Sequence, residues 1–170
     1  RRRLVLGPGQ GDDERLPAVL AWRPNVQVIH VPAGPARFVA KEALLPYMED
    51  FGRYVRRFCR AQVQPYDLVH ANFFMSGMVA LQVKRALGVP FAITFHALGR
   101  VRRQYQGPND GFDDSRFAIE EALMREADAI VAECDQDERD MVALYAAEQD
   151  KIVCVPCGFD PSEFWSVPDA

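Results

Sequence analysis

Apolar residues recur along this chain in two rhythms, one suited to strands and one to helices. Val26-Gln27-Val28-Ile29-His30-Val31 is a β-branched run that Pro32 ends, and it predicts a strand. From Lys41 to Gln62, Leu44, Leu45, Met48, Phe51, Val55, Phe58 and Cys59 recur at three- and four-residue steps. That spacing predicts an amphipathic helix with Arg53, Arg56, Arg57 and Arg60 on its outer face. Pro46 falls inside the span, so the helix is expected to begin there, with Pro in its first turn. Asp67–Asn72 predicts a short strand, and Ser76 suits the cap of a helix that runs to Leu87 and stops at Gly88. Pro90–His96 reads as a strand, and 97–114, polar and punctuated by Gly99, Gly107, Pro108 and Gly111, as a loop. A helix over Phe117–Ala127, a strand over Ala129–Ala132, a helix over Gln136–Ala147 and a strand over Lys151–Pro156 complete the series. Residues 7–17 and 157–170 read as loops. Near-continuous apolar strands alternating with helices predict an α/β fold: a doubly wound parallel sheet with helices on both faces.

Composition narrows the class. The chain has 170 residues, 49% hydrophobic and 26% charged, enough for one domain with a real core and unlike disordered or fibrous proteins. No window approaches the ~18 uninterrupted apolar residues of a membrane span, so no stable membrane insertion is expected. The start, Arg1-Arg2-Arg3-Leu4-Val5-Leu6, has neither an initiator Met nor a signal-peptide core, as expected for a piece of a longer chain. Four cysteines make no disulfide framework at this size, and a cytoplasmic setting is expected. Charge is unevenly spread: residues 1–110 carry 16 Lys and Arg against 8 Asp and Glu, whereas residues 111–170 carry 4 against 16. A basic half suits phosphates or an acidic partner domain. Nucleic acid is not expected, because arginines and aromatics do not alternate and no recognised motif is present.

Chemistry in an open parallel sheet gathers beyond the carboxyl ends of the strands. Two predicted strands end at histidine: His70, followed by Ala71-Asn72-Phe73-Phe74, and His96, followed by Ala97-Leu98-Gly99-Arg100. Each leads into a segment able to close over a pocket; the alternative is a pair of satisfied core imidazoles. Arg100, Arg102 and Arg103, with Lys41, suit a phosphorylated ligand through bidentate guanidinium contacts, the alternative being a solvated loop face. Gly7-Pro8-Gly9-Gln10-Gly11 fits neither a Walker loop nor a dinucleotide fingerprint and is expected to be a flexible loop. Cys154-Val155-Pro156-Cys157 has redox spacing but ends a strand, and no second Cys/His pair accompanies it, so no metal site is expected. Hydrolase elbows and metalloprotease motifs are absent from the sequence.

Along the chain follow Val31-Pro32-Ala33-Gly34-Pro35 with Lys41-Glu42, Pro65–Asn72, Ser76-Gly77, Leu87–Pro90, Thr94–Gly99, Arg116–Glu120, Ala127–Ala132 and Val155–Phe164. The order of these segments resembles the N-terminal domain of family 4 glycosyltransferases of the GT-B type, nearest the sucrose-phosphate synthase and D-inositol-3-phosphate glycosyltransferase branch. The resemblance implies an enzyme of two Rossmann-like domains, the first holding the acceptor and the second a nucleotide-sugar donor such as UDP-glucose. Transfer would retain configuration and need no metal or other cofactor. Residues 1–160 would form the first domain without its opening strand–helix–strand, and 161–170 would begin the interdomain linker. Its partners would be a small sugar, polyol or sugar-phosphate acceptor and the C-terminal nucleotide-sugar domain of the same protein. The resemblance makes His96 the catalytic residue beside the transferred sugar. Lys41, Arg116 and either Arg100 or Arg102 would hold the acceptor. His70, Asn72, Phe73, Ser76, Gly77 and Glu120 complete the expected substrate-binding set. Two positions depart from the mycothiol-type relatives: Phe73 lacks a tyrosine hydroxyl and Ala97 a threonine hydroxyl, both of which serve a phosphate there. Without the donor domain the chain alone is expected to be inactive, because nothing stabilises the departing diphosphate. The rival expectation is a non-catalytic α/β ligand-binding or interaction module.

Overall fold

The computed structural model describes residues 3–8, 17–35 and 37–164. Strands β4 (Val69–Asn72), β5 (Phe91–Thr94), β6 (Ala129–Ala132) and β7 (Ile152–Cys154) form a parallel sheet in that order. The register aligns Val69 with Phe91, Ala92 with Ala129 and Ile130 with Ile152, so the strands end nearly level. Helices α1 (Met48–Arg60), α2 (Phe74–Leu87), α3 (Gly99–Gln106), α4 (Ser115–Glu126) and α5 (Asp135–Tyr145) flank this sheet. A second, mixed sheet joins β1 (Arg3–Pro8), parallel, and β2 (Val19–Arg23), antiparallel, to either side of β3 (Val26–Val31). Asn25 turns the β2–β3 hairpin with φ 62°, a conformation that Asn accepts more readily than most residues.

The apolar runs explain the core. Phe91, Ile93, Ile130 and Ala132 are fully buried in the central strands, as expected of a parallel sheet covered by helices. Val55 of α1, Phe74 and Val83 of α2, Leu123 and Met124 of α4 and Met141 of α5 pack around them, and Ile29 and Val31 bring β3 into the same cluster. Helix α2 lies close to its neighbours because Gly77 has no side chain: a Cβ there would stand 2.6 Å from Ile93 Cδ1 and 2.7 Å from Leu123 Cδ1. Among the described residues, no helix is long and apolar enough to cross a membrane.

Four expectations change. Ser76 does not cap α2, which begins at Phe74 behind a Phe73 N-cap with φ 73° and no capping side-chain hydrogen bond. The span 97–114 is not a loop: it holds α3 and a 3-10 turn over Gly107–Asn109. Its arginines conceal the helix, because ion pairs rather than an apolar stripe hold it to the body. Gly7 and Pro8 end β1 instead of opening a loop, whereas Arg1, Arg2 and the rest of the glycine-rich stretch, Gly9-Gln10-Gly11, lie outside the described residues. Strand β2 carries no alternating pattern because all five of its residues are exposed. The helix expected from Pro46 is preceded by 3-10 turns over Lys41–Ala43 and Leu45–Tyr47 and becomes α-helical at Met48. Residues 157–164 are irregular and exposed, and 165–170 lie outside the described residues.

Candidate active site

Each strand of the parallel sheet delivers one polar residue to its carboxyl end. Asn72 is the last residue of β4, His96 follows β5, Glu133 follows β6 and Cys157 follows β7. Because the strands end nearly level, these side chains meet. His96 Nε2 lies 2.8 Å from Asn72 Oδ1, and Nδ1 lies 2.9 Å from Glu133 Oε1. The Cys157 thiol donates to the same Glu133 oxygen at 3.3 Å. Phe95 and Leu98 are both buried, so the backbone turns sharply between them, and His96 takes up the turn with φ 59°. Left-handed backbone is uncommon for a residue with a Cβ. The His96 side chain remains 46% exposed, open to a ligand over the sheet.

His70 lies two residues back from Asn72 along β4, with Nε2 2.8 Å from Thr94 Oγ1. Desolvation of its ring, and then the nearness of His96, push its pKa below the ordinary imidazole value. The neutral form is therefore favoured.

Arg116 and Glu120 lie together but behind this row. Both are on α4, one turn apart, with 2% and 0% of the side chain exposed. Arg116 Nε donates to Glu120 Oε1 at 2.7 Å, and Nη2 donates to the Ala97 carbonyl at 2.5 Å. The rings of Phe73, Phe74 and Phe112 surround the guanidinium, with centroids 4.7–5.1 Å from Cζ. Nη1 is buried without a hydrogen-bond acceptor, and the surrounding rings supply cation–π attraction there. Glu120 also accepts the backbone N–H of Gly99 at 3.0 Å and the hydroxyl of Tyr145. Burial, followed by the Glu120 charge, drives the Tyr145 pKa well up. Gly99 has to be glycine for this approach: a Cβ would stand 2.9 Å from both Arg116 Nε and Glu120 Oε2.

The other arginines are divided among carboxylates. Arg100 pairs with Glu121, donates to the Leu144 carbonyl at 2.8 Å and lines a cavity of about 530 Å³ between α3, α4 and α5, apart from the strand-end row. Arg102 Nε donates to Asp110 at 2.8 Å, and Arg103 reaches Asp114 at 2.5 Å. Burial alone would raise the Asp110 pKa, but hydrogen bonds from Arg102 and Phe112 N–H, with the charges of both arginines, bring it below the usual carboxylate range. Lys41 is exposed at the start of its 3-10 turn, and its neighbour Glu42, 4.0 Å from Arg102, sets that turn beside α3. Ser76 is half-buried in the first turn of α2, and Gly77 serves packing. Among the described residues, no three His, Cys, Asp or Glu side chains gather as a metal-ligand set. Sequence reasoning missed Glu133, although it is the first polar residue after an apolar strand, the same signal that marked His70 and His96.

The sequence pattern of the glycosyl transferase 4-like domain matches residues 2–158. The chain belongs to this glycosyltransferase family. It is 33% identical over 152 residues to the D-inositol 3-phosphate glycosyltransferase of Nocardiopsis dassonvillei, covering 88% of this chain and 35% of that protein. It is 36% identical over 147 residues to D-inositol 3-phosphate glycosyltransferase 1 of Catenulispora acidiphila, covering 86% and 34%. The chain thus spans about a third of the length of these relatives. The sucrose-phosphate synthase of Thermosynechococcus elongatus superposes with a TM-score of 0.85 at 24% identity, over 96% of this chain and 40% of that one. The shared fold is GT-B, and the parallel sheet flanked by helices is its Rossmann-like part.

Proposed function

We propose that this domain is the acceptor side of a retaining, nucleotide-sugar-dependent hexosyltransferase, whose acceptor is a small sugar, a polyol or a sugar phosphate. The observation that carries this reading is the polar row over the strand ends, with His96 exposed at its centre, in a glycosyltransferase-family fold. The names of the D-inositol 3-phosphate glycosyltransferases support a phosphorylated polyol as one candidate acceptor.

In this reading, His96 meets a hydroxyl of the transferred sugar as positive charge develops at the anomeric carbon, a contact that strengthens in the transition state. Its ring nitrogens face Asn72 and Glu133, so an incoming hydroxyl exchanges with the Asn72 amide. Exposed Lys41 supplies positive charge for an acceptor phosphate. Buried Arg116 acts from behind, bracing the Ala97 carbonyl and the Phe73 ring that form the wall. The donor diphosphate is held by a second domain, and the isolated domain transfers nothing.

The test is to incubate the full-length protein with a panel of nucleotide sugars and polyol, sugar and sugar-phosphate acceptors. Released nucleoside diphosphate is measured, and the anomeric configuration of the product is read by NMR. Transfer with retention is expected. Turnover with inversion, or no transfer from any donor, overturns the reading.

A further inference from the structure

We infer that Glu133 is the positioning residue for His96, fixing which ring nitrogen faces the substrate. Three observations lead there. First, Glu133 directly follows β6 and His96 follows its paired neighbour β5 by two residues, so both partners are anchored by adjacent strand ends. Second, a carboxylate only accepts hydrogen bonds, so the 2.9 Å contact requires a proton on His96 Nδ1. Asn72 faces Nε2 with Oδ1, but rotation of its terminal amide presents the NH2 instead, so it can meet Nε2 as acceptor or donor and imposes no such choice. In a histidine, the hydrogen bond made by one nitrogen sets the state of the other. Glu133 therefore leaves Nε2 as the nitrogen that answers to the ligand, facing Asn72 until a hydroxyl replaces it.

Third, Glu133 is itself held. Its backbone N–H donates to Asp137 Oδ2 at 3.2 Å, in the first turn of α5, and the Cys157 thiol donates to the oxygen that binds His96. The carboxylate keeps 25% of its exposure and belongs to no ion pair with Lys or Arg among the described residues. His96 gains a fixed ring plane despite its left-handed backbone. Without Glu133 the imidazole would be held through Asn72 alone.

The effect on transfer rests on the glycosyltransferase reading above, whereas the geometry at His96 does not, and the two are tested separately. In the full-length protein, Glu133→Ala should lower kcat about ten- to a hundredfold, as loss of a ligand-orienting partner does elsewhere. Acceptor and donor KM should stay within about threefold. Glu133→Gln keeps an accepting oxygen and should recover most of the loss. In a His96→Ala background, Glu133→Ala should add less than about twofold, because the two act as one unit. Long-range ¹H–¹⁵N spectra, recorded above the imidazole titration range, should show His96 protonated at Nδ1 in the wild type and a mixture of tautomers in Glu133→Ala. Fully additive kinetic losses, or a His96 spectrum unchanged by Glu133→Ala, overturn the assignment. A wild-type protein that transfers no sugar but shows the tautomer shift overturns the functional reading and leaves the positioning intact.

Discussion

Two carboxylate-centred networks adjoin in this domain, meeting at the consecutive residues His96 and Ala97. In the outer one, Glu133, Asn72 and Cys157 hold an imidazole that is 46% exposed. In the inner one, Glu120 meets Arg116, Gly99 and Tyr145 with no exposure at all. The outer network joins strand ends that the sheet already fixes, so removing a member should change chemistry more than folding. The inner one closes around a fully buried ion pair where α4, the start of α3 and the end of α5 meet, so removing a member should act on the fold. A charged residue expected at a binding site therefore needs its burial known before its role can be assigned.

The sharpest break in this contrast is Glu120→Ala. It strands the Arg116 guanidinium in a closed interior, and about 3–5 kcal/mol of unfolding free energy should be lost. Urea denaturation measures this, and a loss below about 1 kcal/mol would erase the distinction between the networks. Next comes His96→Ala in the full-length protein, expected to lower kcat ten- to a thousandfold, about 1.4–4 kcal/mol, while the urea midpoint barely moves. A large fall in midpoint with normal kcat would instead place His96 with the structural group.

Lys41→Ala sharpens the comparison from the side of the acceptor. Exposed and away from both networks, it should raise KM for a phosphorylated acceptor roughly ten- to a hundredfold and leave an unphosphorylated one unchanged. Equal effects on both acceptors would remove Lys41 from phosphate binding.

The smallest effect is a pH dependence from His70. Its pKa is lowered on folding, so the unfolded chain binds more protons just below the ordinary value of 6.5. Stability should be constant above that value and decline as pH falls from it toward the folded-state pKa. His70→Asn keeps a partner for Thr94 and should flatten this decline in a series of melting curves. A decline of the same size in the variant would locate the proton uptake elsewhere.

Much of the fold was legible because its elements are made by burial. Phe91–Ile93 and Ala129–Ala132 are apolar throughout, and α1 carries its core residues at helical spacing, so period alone identifies them. Helix α3 was hidden because Arg100, Arg102 and Arg103 serve ion pairs with Glu121, Asp110 and Asp114, which lie outside the helix and are invisible to periodicity. The site divides the same way. His96 was marked by its position after a strand. Glu133 was obscured by the acidic run from Glu133 to Asp140, where one carboxylate looks like any other. Arg116 and Glu120, four residues apart, resemble an ordinary surface pair on a helix, and only the rings of Phe73, Phe74 and Phe112 show that they are enclosed.

The positive φ of His96 sets two kinds of selection against each other at one position. Glycine would adopt that backbone without steric penalty, so a library sorted purely for heat resistance could enrich it there. The same change removes the imidazole proposed to touch the sugar. Thermostable variants carrying His96→Gly should therefore be recovered from a screen blind to turnover and be lost from one that scores it. Residue 96 is a place where consensus-free stabilisation of this domain would cost the proposed transfer activity while strengthening the fold.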